Sequence, residues 1–214
     1  MLVSQIWYDW GKPKSDLFIR CMDSVSLFCR VNNYKYKVWT EKDCLELLED
    51  YPQYQGMYHN VKYRIMKIDI IRYLILHQYG GVYLDCDIEP VIQSLNLDLD
   101  ISIDVNTEVM QFRKGNPMIL NFLDYVKTQI REKDSISIYK TWKARYVLQT
   151  TGPRSLKRFM KVNKIKKAHT YRINNPHTGG KGKVGCAWTA PPDLRLKGDE
   201  EFISYPSCSW HKMD

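Results

Sequence analysis

Two aspartates separated by one residue, Asp85 and Asp87, are the residues of this chain best suited to chemistry. They lie in a short β-rich segment, Val82 to Ile88, where alternate side chains would share one face. Two carboxylates on one face repel each other and are costly to desolvate unless a cation lies between them. Hard oxygen ligands select Mg²⁺ or Mn²⁺, whose remaining positions are filled by water and substrate phosphates. The spacing therefore predicts a metal–diphosphate site, although an isolated Asp-x-Asp also occurs in solvated strand ends.

A buried helix and a glycine turn precede this pair and would position it. Apolar residues recur every three or four positions from Val61 to Tyr79, which is typical of a helix buried on most of its circumference. Asp69 is the only acid inside that stretch, and Arg72 follows one turn later. Gly80-Gly81 supplies the positive-φ stop that a helix end favours. Tyr83 then shares the predicted strand face with both aspartates.

The whole unit matches D-x-x-R-Y-x-x-L-x-x-x-G-G-x-Y-x-D-x-D at every fixed position, from Asp69 to Asp87. This segment resembles the signature of DXD-containing sugar transferases of glycosyltransferase family 32, relatives of the toxin glucosyltransferases. The resemblance implies a GT-A, Rossmann-like fold and metal-dependent transfer, with retention, from a UDP-sugar to a glycan or other hydroxyl acceptor. Within the family, the chain is similar to transferase domains of chlorella virus multidomain proteins. That likeness implies viral glycan synthesis with a glucose- or rhamnose-type sugar.

The resemblance also implies roles for individual residues. The metal, Mn²⁺ or Mg²⁺, would be held by Asp85, Asp87 and His211, the last because Ser209-Trp-His211 is similar to the family's terminal element. Asp69 and Arg72 would bind the hydroxyls of the sugar and, with the two metal-binding aspartates, form the catalytic set. The nucleotide-binding residues would be Trp7, Tyr8, Asp69, Arg72, Tyr83 and Asp85, with the Trp7 ring against the uracil base.

The order of the predicted elements indicates an α/β fold. A strand at 2–8, a helix at 15–31, a strand at 34–40 and a helix at 41–50 precede the buried helix and the strand that carries the aspartates. This alternation is typical of a mixed, mainly parallel sheet with helices on both faces. A strand at 109–113 and a helix at 118–130 follow, while residues 95–104 read as a loop and an exposed strand.

At 214 residues with 44% hydrophobic content, the chain fits one well-cored domain. We expect a nucleotide-binding part at about 1–110 and an acceptor-side part at about 111–214. The domain could be one unit of a longer polypeptide. We expect it to be monomeric and soluble, and cytoplasmic in the host cell if viral, because no apolar run reaches the roughly 18 residues of a membrane span.

The net charge of +8 suggests an anionic partner such as a nucleotide. Seven basic residues crowd into 154–167, a run that reads first as a solvated helix face. Thr150-Thr-Gly-Pro153 comes just before it and could bind an anion or a sugar hydroxyl, or could simply begin a helix. The six cysteines show no C-x-x-C spacing, which indicates free thiols.

Two other classes of protein remain open at this stage. A HAD-type phosphohydrolase also ends a buried strand with D-x-D, but Ile88 stands where Thr or Val is expected and the motif lies late in the chain. A basic nucleic-acid or glycan-binding module would explain the charge without metal. No nucleic-acid-binding signature supports it, and we expect no nucleic-acid partner.

Overall fold

The fold is described by a computed structural model for residues 1–11, 13–104, 106–134, 143–174 and 201–205. Within these ranges the helices are α1 (Asp16–Val31), α2 (Glu41–Glu49), α3 (Pro52–Asn60), α4 (Arg64–Tyr79), α5 (Pro117–Asp134), α6 (Lys143–Thr150) and α7 (Pro153–Val162). The strands are β1 (Leu2–Ile6), β2 (Lys35–Trp39), β3 (Gly81–Leu84), β4 (Ile88–Pro90), β5 (Ile101–Ile103), β6 (Val109–Phe112), β7 (Ile173–Asn174) and β8 (Phe202–Ser204).

A five-stranded sheet with the order β2-β1-β3-β6-β5 forms the centre of the fold. Strand β1 pairs in parallel with β2 and with β3, because helical crossovers connect these three strands. Strand β6 pairs antiparallel with both β3 and β5, so it alone runs against the others. The predicted mixed, mainly parallel α/β sheet is confirmed.

Helices cover both faces of this sheet, and the side chains of the central strand β3 pack against helices on each face. Tyr83 packs into a core that includes α2, α4 and α5, whereas Val82 and Leu84 pack into a second core with α1. The alternation follows from the two-residue period of a strand. All three residues are buried, which is expected for a central strand enclosed on both faces.

The turn between α4 and β3 requires both of its glycines. Gly80 has φ +66° and Gly81 has φ +90°, a region that L side chains rarely adopt. A Cβ on Gly81 would lie 2.1 Å from the carbonyl oxygen of Leu2, and one on Gly80 would lie 2.6 Å from the backbone nitrogen of Lys114. The glycines therefore let β3 leave the buried helix and pair with β1 immediately.

A small second sheet, ordered β4-β8-β7, joins the chain after the aspartates to residues 201–205. Strand β8 pairs antiparallel with β4 and parallel with β7. The structure here corrects the expected strand at 82–88. Strand β3 ends at Leu84, the backbone turns through Asp85 to Asp87, and Ile88 then joins the second sheet. The two aspartates therefore lie on a turn and do not share a strand face.

The remaining differences are local. Strand β5 is mostly buried rather than exposed, because it pairs with β6 at the sheet edge under the segment that follows α7. Helices α3 and α6 were not predicted. Among the described cysteines, Cys21, Cys29, Cys44 and Cys86 are buried free thiols, as expected. In the part of the chain that the structure describes, no helix has the length and apolar character needed to cross a membrane.

Candidate active site

Asp69 and Arg72 form a buried ion pair on α4. Both residues are less than a tenth exposed, and Nη2 of Arg72 donates a hydrogen bond to Oδ1 of Asp69. The second carboxylate oxygen of Asp69 accepts a hydrogen bond from the Thr151 hydroxyl at 2.6 Å. A buried pair is tolerated when such additional hydrogen bonds satisfy its remaining groups. The pair is thus a fixed polar element among the buried apolar residues in the middle of α4.

Arg72 extends this element to the first aspartate of the Asp-x-Asp turn. Its Nη1 lies 3.6 Å from Oδ1 of Asp85. Burial acts to lower the pKa of Arg72, but the carboxylates, Asp69 above all, raise it over the ordinary value. Arg72 therefore stays a cation, held between two acids.

Thr107 holds the guanidinium from the other side. The backbone carbonyl and the hydroxyl of Thr107 both accept hydrogen bonds from Arg72, each at 3.3 Å. Thr107 has φ +65°, a conformation that is unusual for a β-branched residue. Backbone strain of this kind concentrates at functional sites, and here it brings two acceptors of one residue to the same cation.

Four contacts fix Asp85 at the beginning of the turn. Its backbone N–H donates to the carbonyl of Glu108 at 2.8 Å, and its own carbonyl accepts from Nε2 of Gln5 at 3.1 Å. The Tyr83 hydroxyl donates to Oδ1 at 2.8 Å. Arg72 approaches the same oxygen, so Oδ2 is left for other partners. Tyr83 thus orients the Asp85 carboxylate through its hydroxyl, while its ring is buried in the core.

Asp87 is positioned by residues from far along the chain. Its carbonyl accepts a hydrogen bond from the backbone N–H of Tyr205 at 3.0 Å. The Tyr205 hydroxyl in turn donates to Glu89 at 2.8 Å, and Glu89 pairs with Arg20 of α1 at 2.9 Å. Through Tyr205 and Glu89, the small second sheet therefore holds the turn that contains Asp85 and Asp87 in place.

The electrostatics around the turn favour a cation. Burial raises the pKa of Asp85 to about 7, against the opposing effect of Arg72 and with a further rise from Asp87. Burial, followed by the charges of Asp104 and Asp85, raises the pKa of Glu108 to about 8. Oε2 of Glu108 is buried and has no hydrogen-bond partner among the described residues. A divalent cation at this place would relieve the repulsion between these carboxylates.

The donor set fits Mg²⁺ or Mn²⁺, because it consists of hard carboxylate oxygens. In the described ranges, no three acidic, histidine or cysteine side chains are already arranged around one point as metal ligands. Asp85 and Asp87 would hold such an ion with water and substrate phosphates, which is the usual arrangement for these metals. The predicted third ligand, His211, lies outside the described residues.

An open cavity of about 220 Å³ faces this network. Its polar wall is formed by Asp69, Arg72, Asp85, Asn106, Thr107 and Glu108, and its other wall includes Ile65, Ile68, Val147 and Pro153. A few convergent polar groups in a partly apolar cavity are typical of a small-molecule site. The sequence predicted three of the polar residues. Thr107, Glu108 and Asn106 were missed because they lie in an irregular loop with no motif of its own.

The aromatic residues after β1 have different environments. Trp7 is half-buried, its ring lies edge-on to Phe18 at 5.2 Å, and the Lys14 ammonium lies 5.3 Å from its centre. Tyr8 is buried in the main core, and its hydroxyl lies 2.8 Å from that of Tyr58. The ring of Trp7 therefore has surface to offer a base, whereas the ring of Tyr8 is occupied by core contacts. The nucleotide role of both stays a prediction.

Two further sequence interpretations can be compared with the structure. The Thr150-Thr-Gly-Pro153 element begins α7, and its Thr151 hydroxyl is directed to Asp69. Asp104, the last residue of the segment predicted as a loop and an exposed strand, is buried and accepts hydrogen bonds from the backbone N–H groups of Asn106 and Val109 at 2.7 and 2.9 Å. It therefore shapes the loop that carries Thr107.

A family of known proteins matches the part of the chain that contains the Asp-x-Asp turn. Residues 17–111 match the family described as glycosyltransferase sugar-binding region containing DXD motif. That range includes α4, the glycine turn, both aspartates and the loop with Thr107 and Glu108. The predicted resemblance to the DXD-containing glycosyltransferases is thus confirmed over this range.

The curated relatives are fungal mannosyl-transfer proteins. Inositol phosphoceramide mannosyltransferase 3 of Schizosaccharomyces pombe is 26% identical over 197 residues, which cover 85% of this chain and 48% of that protein. Mannosyl phosphorylinositol ceramide synthase SUR1 of Saccharomyces cerevisiae is 32% identical over 155 residues, 67% of this chain and 39% of that protein. The chain therefore spans less than half the length of these relatives. The viral likeness stays a prediction.

The fold has a counterpart among solved structures. PaToxG glycosyltransferase matches with a TM-score of 0.56 and 18% identity, over 76% of this chain and 69% of that one. At this level of identity the likeness concerns the fold alone. It agrees with the GT-A type of architecture that the motif implied.

Proposed function

We propose that this chain is a metal-dependent glycosyltransferase that moves a glucose- or rhamnose-type sugar from a UDP-sugar to a hydroxyl acceptor, with retention. The observation that supports it most is the continuous polar network from Asp69 through Arg72 to Asp85, which borders an open cavity. It joins the residues suited to a sugar to those suited to a metal–diphosphate.

The donor would be held by this network. Mn²⁺ or Mg²⁺, bound by Asp85 and Asp87 and also by His211 in the full site, would supply charge neutralisation for the departing diphosphate. Arg72 lines the cavity beside Asp85, so its guanidinium would donate hydrogen bonds to the hydroxyls of the bound sugar. Asp69 keeps that guanidinium oriented and lies where a sugar hydroxyl could donate to it. Trp7 and Lys14 would flank the uracil base at the carboxyl end of β1, where α/β sheets place their ligands.

A second candidate concerns the sugar and the acceptor. The relatives' names describe mannosyl transfer to inositol phosphoceramide. The same site could therefore take a mannose donor, and its acceptor could be a phosphate-bearing lipid. Nothing in the Asp69–Arg72–Asp85 network selects between hexoses, because these side chains would contact hydroxyls and phosphates that the donors share.

Calorimetric titration tests both candidates. UDP and GDP would be titrated into the wild-type protein with and without MnCl₂, and into an Asp85→Asn/Asp87→Asn variant. Metal-dependent binding that disappears in the variant supports the transferase, and the preferred nucleotide decides between the candidates. UDP-glucose, UDP-rhamnose and GDP-mannose would then be compared for turnover. A protein that ignores both nucleotides in every condition would contradict the proposal.

A further inference from the structure

A second cavity adjoins the one that contains Asp69 and Arg72. It measures about 260 Å³ and lies between the edge strand β5 and helix α7. Thr107 and Pro153 line both cavities, so they form the common boundary. A ligand that crosses this boundary would have one end beside the buried ion pair and the other in the second cavity.

Three lysines border the second cavity. Lys157 and Lys161 lie one turn apart on α7, and Lys167 comes from the segment that follows it. The Lys167 ammonium is anchored by a hydrogen bond to the carbonyl of Ile103 at 3.1 Å. Like charges four residues apart destabilise a helix, and burial, together with Lys157, lowers the pKa of Lys167. The arrangement brings cations together at a cost that a bound anion would offset.

The remainder of the lining offsets these charges only in part, because the three lysines face one acid among the described lining residues, Asp104, whose charge opposes the lowering of the Lys167 pKa. The apolar part of the wall consists of Ile103, Leu156, Met160 and Ile165. Asp104 itself is buried, and each of its carboxylate oxygens accepts a backbone N–H, so it is held in place beside the lysines. All seven basic residues of 154–167 are exposed, as expected for a solvated helix face, and three of them also border this open cavity.

We propose that this second cavity binds a phosphate group of the acceptor, an inference that rests on the proposed transferase function. A phosphate ester has several peripheral oxygens, and three separate ammonium groups can each bind one. A flat carboxylate would be matched better by the planar fork of an arginine, and none of the described residues that line the cavity is an arginine. The acceptor hydroxyl would then lie toward Thr107 and Pro153, facing the donor sugar.

The test uses two double variants of equal charge. Lys157→Gln/Lys161→Gln removes two cations from the cavity. Lys164→Gln/Lys166→Gln removes two from the same basic run but outside the cavity lining. Lys167 is left in place because its hydrogen bond to Ile103 supports the backbone. Binding of glycerol 3-phosphate would be measured by calorimetry without divalent metal, so that Asp85 and Asp87 do not contribute.

We expect the cavity variant to bind glycerol 3-phosphate on the order of tenfold more weakly than the wild type, and the control variant to change less than about threefold. Equal losses in both variants would show that only the general positive charge attracts the ligand, and would overturn the proposal. The proposal would also be overturned if the wild type bound neither probe. The first probe is glycerol 3-phosphate, and the second is phosphatidylcholine vesicles that contain phosphatidylinositol, compared with vesicles of pure phosphatidylcholine.

The vesicle measurement also separates the sources of the phosphate. Cavity-dependent binding to the phosphatidylinositol vesicles indicates a lipid acceptor, whereas binding of the soluble ester alone indicates a phosphorylated sugar or similar molecule. Titration of UDP with MnCl₂ into both variants should match the wild type. If the protein bound phosphate through Lys157 and Lys161 but did not bind UDP or GDP, the proposed transferase function would be contradicted. The proposed phosphate site would still be supported.

Discussion

The Thr151 hydroxyl donates a 2.6 Å hydrogen bond to Asp69 across 82 positions of the chain. This contact ties the segment before α7 to the buried ion pair of α4. Thr150, its neighbour, is equally buried, yet its hydroxyl has no hydrogen-bond partner among the described residues. The two adjacent threonines therefore offer a matched comparison of a bonded and an unbonded hydroxyl.

Thr151→Val should destabilise the protein and impair catalysis. The change leaves one oxygen of a buried carboxylate unsatisfied, which costs about 1–3 kcal/mol in the free energy of unfolding. Thr150→Val removes a hydroxyl that makes no bond, so it should be neutral or slightly stabilising. Urea unfolding and the turnover of the preferred donor would be measured for both. Equal effects at the two positions would show that the Asp69 contact has no special weight.

Arg72→Lys should reduce turnover strongly despite the preserved charge. A lysine ammonium is a single point, so it cannot contact Asp69, Asp85 and Thr107 together as the guanidinium does. Arg20→Lys, at a side chain that is more than half exposed, is the control and should keep near-normal turnover. Steady-state kinetics would give kcat and KM for the two variants and the wild type. An Arg72→Lys enzyme with unchanged kcat would exclude a role for the guanidinium geometry.

Without metal, stability should fall as the pH rises from about 4 to 8. The pKa values of Asp85 and Glu108 are raised to about 7 and about 8, whereas carboxyls in the unfolded chain titrate near 4. In this window the folded state binds more protons than the unfolded state, so the free energy of unfolding decreases with pH. Thermal unfolding at several pH values would show this slope, and Glu108→Gln should make it shallower.

Metal binding should have the opposite dependence on pH. Because a metal competes with the proton on Asp85, stabilisation by MnCl₂ should be small at pH 5.5 and large at pH 8. The shift in melting temperature at each pH measures it. A shift that does not depend on pH would show that Asp85 is not a ligand.

Gly81→Ala should prevent correct pairing of β3. The new Cβ would meet the carbonyl of Leu2 at 2.1 Å, at a φ of +90°. We expect a loss of more than about 3 kcal/mol, because both backbone strain and steric overlap act together. Gly56→Ala on α3 is the control, since its Cβ meets nothing within 4 Å. That change should stabilise the protein by about 0.5–1 kcal/mol. Chemical denaturation compares the two variants.

Trp7→Leu should weaken nucleotide binding. Stacking of a base on an aromatic ring contributes about 1–3 kcal/mol, so the affinity for the preferred nucleotide should fall by roughly 5- to 150-fold. Trp10→Leu is the control, because Trp10 is also half-buried but lies against Tyr8. Calorimetry with MnCl₂ measures both affinities. Equal changes would show that Trp7 is not the stacking residue.

Much of the fold could be predicted from local patterns. The buried helix α4, the glycine turn and the helices α1 and α2 follow from hydrophobic period and end signals, which act over a few residues. The end of β3 was not predicted, because the alternation of side chains continues from Val82 to Ile88 although aspartate is disfavoured in strands. It is decided by Tyr205, whose backbone N–H binds the carbonyl of Asp87 from more than a hundred residues away.

The sequence by itself determined the chemical groups of the site: Asp69, Arg72, Asp85 and Asp87, at a spacing that carries the signature of the family. Only the tertiary structure decided what these groups contact. Thr107 and Glu108 belong to no motif, and the partner of Thr151 could not be read from its Thr-Thr-Gly-Pro element. They reach the site because loop and helix packing brings together residues that are distant in the chain. The lysines of the second cavity are a further case, because a helix face and a sheet edge meet there only after folding.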